Sequence, residues 1–362
     1  MHPSLRATAL AFALCLPTLA LAAPTVRSGP NLELARKHHV ALRLYDGRVL
    51  IVGGARSADR GPGAELFDPR TNRFTAVENS DERFRGYVSA TRLRDGRVFI
   101  GTPTSRGLEV WLFDPKTDRV SRSNVDLPYR GLHRATRLRD GRVLLSGGYH
   151  KLQAYDPRSD SYVDRVGTRK SHHGYATHTA TPLRGGEVVL MAGGKFSDKF
   201  STSSMDATQL VQASGTHKPS KLQVKRYDHA AVAVGSRQAL IVGGRRSRGW
   251  FRSHAPVGTL ELFDLDSERF TKVDSLHYPR WGTALVQDGV DVLIAGGANR
   301  AAELYTVEVY SIRSKRVLDG ERFRLKQKRA FHTATRLSDG RILVVGGEAE
   351  GQRLRSSELI RR

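Results

Sequence analysis

The stretch that decides the fold is His332-Thr333-Ala334-Thr335-Arg336-Leu337-Ser338-Asp339-Gly340-Arg341-Ile342-Leu343-Val344-Val345-Gly346-Gly347. It reads as a short alternating run, an Asp-Gly hairpin turn, a continuous apolar run of β-branched character and a double-glycine stop. Working outward, the same phrase runs from His39 through Asp46-Gly47-Arg48 to Gly53-Gly54, and it ends again at Gly147-Gly148, Gly193-Gly194, Gly243-Gly244 and Gly296-Gly297. A worn copy, Ser89 to Val98, finishes on Thr102-Pro103 instead. The copies are about 45–53 residues apart, which is the period of propeller blades rather than of helical solenoids.

Each unit supplies two further strands. Glu65-Leu66-Phe67-Asp68-Pro69-Arg70-Thr71-Asn72-Arg73-Phe74 is a strand, a turn primed by Asp-Pro and another strand. The turn recurs at Asp114-Pro115, Asp156-Pro157 and Asp264-Leu265. The expectation is therefore an all-β, seven-bladed propeller of four-stranded antiparallel blades. The last unit stops after its third strand, Ser357-Glu358-Leu359-Ile360, while Pro24-Thr25-Val26-Arg27-Ser28 precedes the first blade with no other partner. That N-terminal segment is expected to close the ring and cover the open edge.

The Gly-Gly after the second strand, the apolar run before it and an aromatic near the fourth strand resemble the kelch repeat. The resemblance implies a kelch β-propeller over residues 24–362. It does not imply one function, because kelch propellers serve as enzymes, carbohydrate binders and interaction platforms. More distantly the chain is similar to the propellers of galactose oxidase and of the sialic acid mutarotases. The oxidase chemistry depends on a cysteine-linked tyrosine, and Cys15 is the only cysteine here.

Cys15 falls inside residues 1–23, which read as a cleavable signal peptide: Arg6, then an apolar stretch from Ala9 to Leu16, then Ala20-Leu21-Ala22. The expected location is the periplasm or the exterior, with no transmembrane segment and a monomeric product. A cysteine-free mature chain has no disulfide framework and no thiolate metal site. No metal or cofactor is expected, since no His-Glu-x-x-His or EF-hand pattern occurs and His172-His173 read as loop residues.

The formal charge is +23, from 59 basic and 36 acidic residues. Such an excess attracts anions. Export and the lack of a nucleic-acid motif argue against nucleic acid, leaving an anionic glycan or an acidic protein segment as partner. In a propeller the segment leading into strand one and the loop leaving strand two meet on one face. On that face the candidate ligand-binding residues are Arg36, Arg85, Arg130, Tyr149, His150, Lys195, Arg245, Arg246, Trp281, Arg329 and Glu348. Arginine clamps carboxylate, sulfate or phosphate, and aromatic rings stack on sugar faces. The recurring histidines His39, His133, His178, His229 and His332 read as packed scaffold. The leading reading is a binding module for an anionic, carbohydrate-containing ligand. The alternatives are an enzyme on acidic sugars, of mutarotase or lyase type with Glu348 as acid-base, and a platform for an acidic partner segment.

Overall fold

The computed structural model describes residues 23–362 apart from 56–57, 81, 85, 129–130, 149–151, 164–165, 167–175, 198–201, 213–214, 249–252 and 320–321. Residues 1–22 of the expected signal peptide and the His172-His173 pair lie outside the described residues.

Seven antiparallel sheets follow one another around a ring. In blade 1 the strands are Val40–Arg43, Val49–Val52, Ala64–Asp68 and Arg73–Ala76, running from the axis outward. Blade 7 takes Thr333–Arg336, Ile342–Val345 and Ser357–Arg361 from the C-terminal end and Thr25–Ser28 from the N-terminal end. The register of the clasp pairs Val26 with Ile360 and Arg27 with Leu359, so the N-terminal segment does close the ring. In blade 6 the outer strand is in two pieces, Arg316–Val317 and Phe323–Arg324, both paired to Thr306–Ser311.

The uninterrupted apolar run of strand two is explained by its two neighbours. Along a strand, side chains alternate between faces. Leu50 and Val52 pack towards blade 2, against Ile100, Trp111 and Phe113. Val49 and Ile51 pack towards blade 7, against Leu343 and Val345. Every second strand is thus sandwiched between blades, and both of its faces are core.

The double glycine stitches blades together. The N–H of Gly347 donates to the Arg36 carbonyl at 2.7 Å, and that of Gly244 to the Arg280 carbonyl at 2.8 Å. Gly243 has φ 65°, and a Cβ there would lie 2.5 Å from the Arg280 carbonyl oxygen. Both the left-handed backbone and the close approach require glycine. Blade 2, with Thr102-Pro103 instead, shows the converse. Its second strand is not stopped, runs on through Val98–Pro103 and pairs with Leu108–Asp114.

The Asp-Gly-Arg hairpins neutralise themselves. Arg48 Nε donates to Asp46 at 2.8 Å, Arg97 to Asp95 at 2.8 Å, Arg142 to Asp140 at 2.7 Å and Arg341 to Asp339 at 2.8 Å. Four arginines are in this way neutralised within the scaffold, and the net basic excess resides in the other basic residues.

Candidate functional site

Lead-in segments and second-strand exits meet on one face through paired backbone bridges: Ala176 with Lys195, Tyr227 with Arg245, Trp281 with Ala298 and Ala330 with Glu348. Two of the exit segments are β-hairpins. Lys195–Ser197 pairs with Thr202–Ser204, and Arg245–Arg248 with Ser253–Pro256.

Around the channel mouth, in every blade but the second, the residue two places after the lead-in arginine position adopts a left-handed backbone. His38 has φ 56°, Leu132 46°, Thr177 57°, Asp228 51°, Gly282 60° and Phe331 55°. For a residue with a Cβ this conformation costs about 1–2 kcal/mol. It is held by hydrogen bonds from blade to blade: His38 N–H to the Phe331 carbonyl, Phe331 N–H to Gly282 and Gly282 N–H to Asp228, at 2.7–3.0 Å. The backbone repeats while the side chains all differ. A rigid ring presenting a different group from each blade is the geometry of a recognition site.

Just below the ring stands Arg134, at the first position of strand one in blade 3. The equivalent residues are Val40, Ser89, Thr179, Ala230, Ala284 and Thr333, none of them charged. Its Nε donates to the His178 carbonyl at 3.1 Å and its Nη1 to the Tyr87 hydroxyl at 3.0 Å. Arg134, Tyr87, His38, Asp228 and Phe331 line a cavity of 260 Å³ in the channel. It shares His38, Asp228 and Phe331 with a wider hollow of 630 Å³, whose wall includes Lys37, Lys195, Arg245, Trp281, Arg300 and Glu348.

The charges in this wall are organised. Arg245 bridges to Asp228 at 2.6 Å and lies 4.9 Å from the Tyr227 ring and 5.3 Å from the Trp281 ring. Lys195 Nζ stands 5.8 Å from the other side of the same cluster, over Tyr227. Burial pushes the Tyr227 phenol up to about 12 despite Arg245, so it stays protonated, and its hydroxyl meets His254 Nδ1 at 2.7 Å. Lys37 and Glu348 form an ion pair at the rim.

The expected site residues therefore divide. Lys195, Arg245, Trp281 and Glu348 come together in the wall of the wide hollow. Arg246 is exposed on the hairpin and does not line it, because adjacent strand residues face opposite ways. Arg85, Arg130, Tyr149 and His150 lie outside the described residues.

Arg36 and Arg329 need correction: neither faces a ligand. Both are 0% exposed, as are Arg226 and Arg280. Arg36 Nη1 donates to the Gly53 and Gly63 carbonyls, both at 2.9 Å, and Nη2 reaches the buried Glu65 at 3.1 Å. Arg329 does the same with the Gly346 carbonyl at 2.7 Å and Glu358 at 2.8 Å. The carboxylate in turn accepts the lead-in N–H groups, Glu33 and Leu34 on Glu65, and Lys326 and Gln327 on Glu358. Arginine and glutamate thus form an internal clasp that fixes the lead-in segment. Burial lowers the pKa of Arg226, Arg280 and Arg329, and the paired carboxylate offsets only part of that lowering. The signal was in the repeat: Arg36, Arg226, Arg280 and Arg329 share one register, matched by Glu65, Glu261, Glu308 and Glu358 in strand three. In blades 2, 3 and 4 that strand-three position holds Trp111, Gln153 and Gln209.

The recurring histidines are buried and inter-blade: His39 Nε2 meets Thr333 Oγ1 at 2.8 Å, and His229 Nε2 meets Thr179 Oγ1 at 3.0 Å. Among the described residues no three His, Asp or Glu side chains gather as a metal cluster, and no helix is long and apolar enough to cross a membrane.

No protein-family model matches the chain, and no curated protein matches it in sequence. Among solved structures it is similar to that of YjhT, with a TM-score of 0.56 and 14% identity over 75% of this chain and 93% of the other. At that identity the likeness is one of fold, and it supports a propeller of kelch type.

Proposed function

We propose that the channel mouth binds a small, carboxylate-bearing, sugar-like ligand, and that the protein does so outside the cytoplasm. The propeller fold shared with YjhT is compatible with a carbohydrate-related role. The observation that carries the reading is Arg134: a guanidinium on the wall of a 260 Å³ cavity, fixed by Tyr87 and the His178 carbonyl and opening into a hollow edged by Lys195 and Arg245. A carboxylate would lie against Arg134, while the sugar ring would stack on Trp281 or Phe331. Calorimetry of the full chain against uronic and sialic acids and their neutral parent sugars tests it. The acidic sugars are expected to bind and the neutral ones not. Arg134→Met is expected to weaken binding by about tenfold or more, one charge-assisted contact being worth about 1.5–3 kcal/mol. Equal binding of neutral sugars, or an Arg134→Met variant with unchanged affinity, would sink the proposal.

A second reading, acid-base turnover of the same ligand, has one specific observation behind it. Asp228 lines both cavities, sits on left-handed backbone and keeps only a tenth of its side chain exposed. A carboxylate there can take a proton from a sugar hydroxyl and return it. Glu348, the carboxylate first considered, is paired with Lys37 as Asp228 is with Arg245, but it lines only the outer hollow and not the inner cavity. Exchange NMR of sugar anomers, comparing the wild type with Asp228→Asn, separates turnover from binding.

A further inference from the structure

The channel has a second mouth, at the far end of the first strands, about 10 Å along from the site described above at roughly 3.3 Å per residue. We propose that this mouth is a separate binding site for a compact polyanion, a ligand carrying two or more phosphate groups, gripped by Arg43, Arg92 and Arg137.

These arginines close the first strands of blades 1, 2 and 3, with Arg336 of blade 7 continuing the arc. Blades 4, 5 and 6 put Pro182, Ala233 and Gln287 at the matching register. Three blades therefore build the same strand without a charge there. The arginines are not a requirement of the fold, and they form one contiguous arc rather than a uniform ring.

Their arrangement is stepped. Arg92 Nη1 donates to the Arg43 carbonyl at 2.8 Å, and Arg43 Nη1 to the Arg336 carbonyl at 3.3 Å. The guanidinium groups of Arg43 and Arg92 thereby rest on the preceding blade, and Arg137 follows at the same register one blade on. Arg92 is further braced 3.9 Å from the ring of Tyr45, which is 60% exposed. Arg43, Arg92 and Arg137 surround a hollow of 460 Å³.

Charge compensation is missing where it would be expected. Arg336 is paired with Asp288 at 2.9 Å. Among the described residues no carboxylate forms an ion pair with Arg43, Arg92 or Arg137. The nearby hairpin carboxylates Asp46, Asp95 and Asp140 are already taken by Arg48, Arg97 and Arg142. Three uncompensated guanidinium groups held one blade apart repel each other until an anion joins them. A single carboxylate answers one. Linked phosphates, each offering several oxygens to the planar guanidinium fork, answer all three at once.

The test is calorimetry of the full chain with inorganic tripolyphosphate at about 0.15 M salt, where exposed single contacts are largely screened. Saturable binding is expected, well above that of sulfate at equal ionic strength. The triple variant Arg43→Gln, Arg92→Gln, Arg137→Gln is expected to bind at least about a hundredfold more weakly, and Arg137→Gln alone about tenfold. Arg336→Gln, already spent on Asp288, is expected to change affinity less than twofold. Because Arg137 makes no ion pair, its single variant gives a reading even if the triple variant melts early. Equal affinity in the wild type and Arg137→Gln, or binding no tighter than sulfate, overturns the proposal. So does adsorption to vesicles rich in phosphatidic acid without binding of tripolyphosphate, since the arc would then be a membrane-facing surface.

Discussion

Removing the Glu308 carboxylate tests the internal clasp most directly. Arg280 is wholly buried and donates through Nε to the Tyr278 carbonyl at 2.9 Å, through Nη1 to the Gly296 and Thr306 carbonyls at 2.8 and 2.9 Å, and through Nη2 to Thr306 Oγ1 and Glu308. Glu308 also accepts the N–H groups of His277 at 2.8 Å and Tyr278 at 3.3 Å. Glu308→Ala strands a guanidinium charge in the core and leaves two backbone donors without their acceptor. Breaking a buried pair from one side costs about 3–5 kcal/mol. For the roughly 310 described residues the unfolding entropy is roughly 0.65 kcal/mol/K, so Tm is expected to fall by about 5–8 °C. The comparison is Asp68→Ala, which removes the partner of Arg70, a side chain that is 81% exposed. Solvent-screened pairs of that kind contribute about 0–1 kcal/mol. Urea denaturation of both variants, with the single variant Arg280→Met and the double variant Arg280→Met, Glu308→Ala completing a cycle on Glu308→Ala, gives the coupling. The double variant is expected to cost less than the two single changes together. If Glu308→Ala destabilises no more than Asp68→Ala, the clasp does not hold the lead-in segment and the reasoning is wrong.

Three further outcomes follow from the same structure. A chain beginning at Asn31 lacks the strand that pairs Val26 with Ile360, and it is expected to lose about 2–4 kcal/mol and to aggregate through the bared edge; an unchanged melting temperature would refute the clasp. Burial, together with buried arginine, holds the His39 pKa down to about 3 and those of His229 and His332 well below 6.5. The unfolded chain therefore binds protons that the native ring refuses. Stability should be full above about pH 6.5 and fall as pH drops below it, by up to about 1.4 kcal/mol per pH unit for each histidine. His277, whose pKa is raised by Glu308, acts oppositely: its contribution is present below about 6.5 and fades as pH rises, so His277→Gln should remove that alkaline component in a pH series of melts. Finally, Arg245→Ala should weaken binding of an acidic sugar by about tenfold while Arg246→Ala leaves it within twofold, since only Arg245 lines the hollow; equal effects would contradict the alternation of the hairpin.

The lesson about legibility lies in the arginines. Arg36 and Arg329 stood on the correct face by topology, and their charge suggested a ligand. Their real partners, Glu65 and Glu358, lie about thirty residues on in strand three, and only the folded blade shows that each pair is buried together. The filter that identified the histidines as scaffold, sameness from blade to blade, would have marked these arginines too. Conversely Arg134 departs from its repeat register in the way a site residue does, yet it opens the strand itself rather than lying in the lead-in segment or exit loop where the candidate residues were placed.

What the sequence determined by itself is everything of short range and regular period: the blade count, the four strands of each blade, the Asp-Gly hairpins, the double-glycine stops and the terminal segment that completes blade 7. These follow from local backbone preferences and from apolar periodicity, which repeat with the chain. What only the tertiary structure decided is the fate of each charge. Whether a guanidinium is sealed in the core as Arg280 is, set in the channel wall as Arg134 is, or left uncompensated at the far mouth as Arg137 is depends on which carboxylate or carbonyl another strand or blade brings within hydrogen-bond reach. That is a matter of distance and dielectric between residues far apart in the chain; the repeat register hints at it for Arg280 and Glu308 but does not fix it for Arg134 or Arg137.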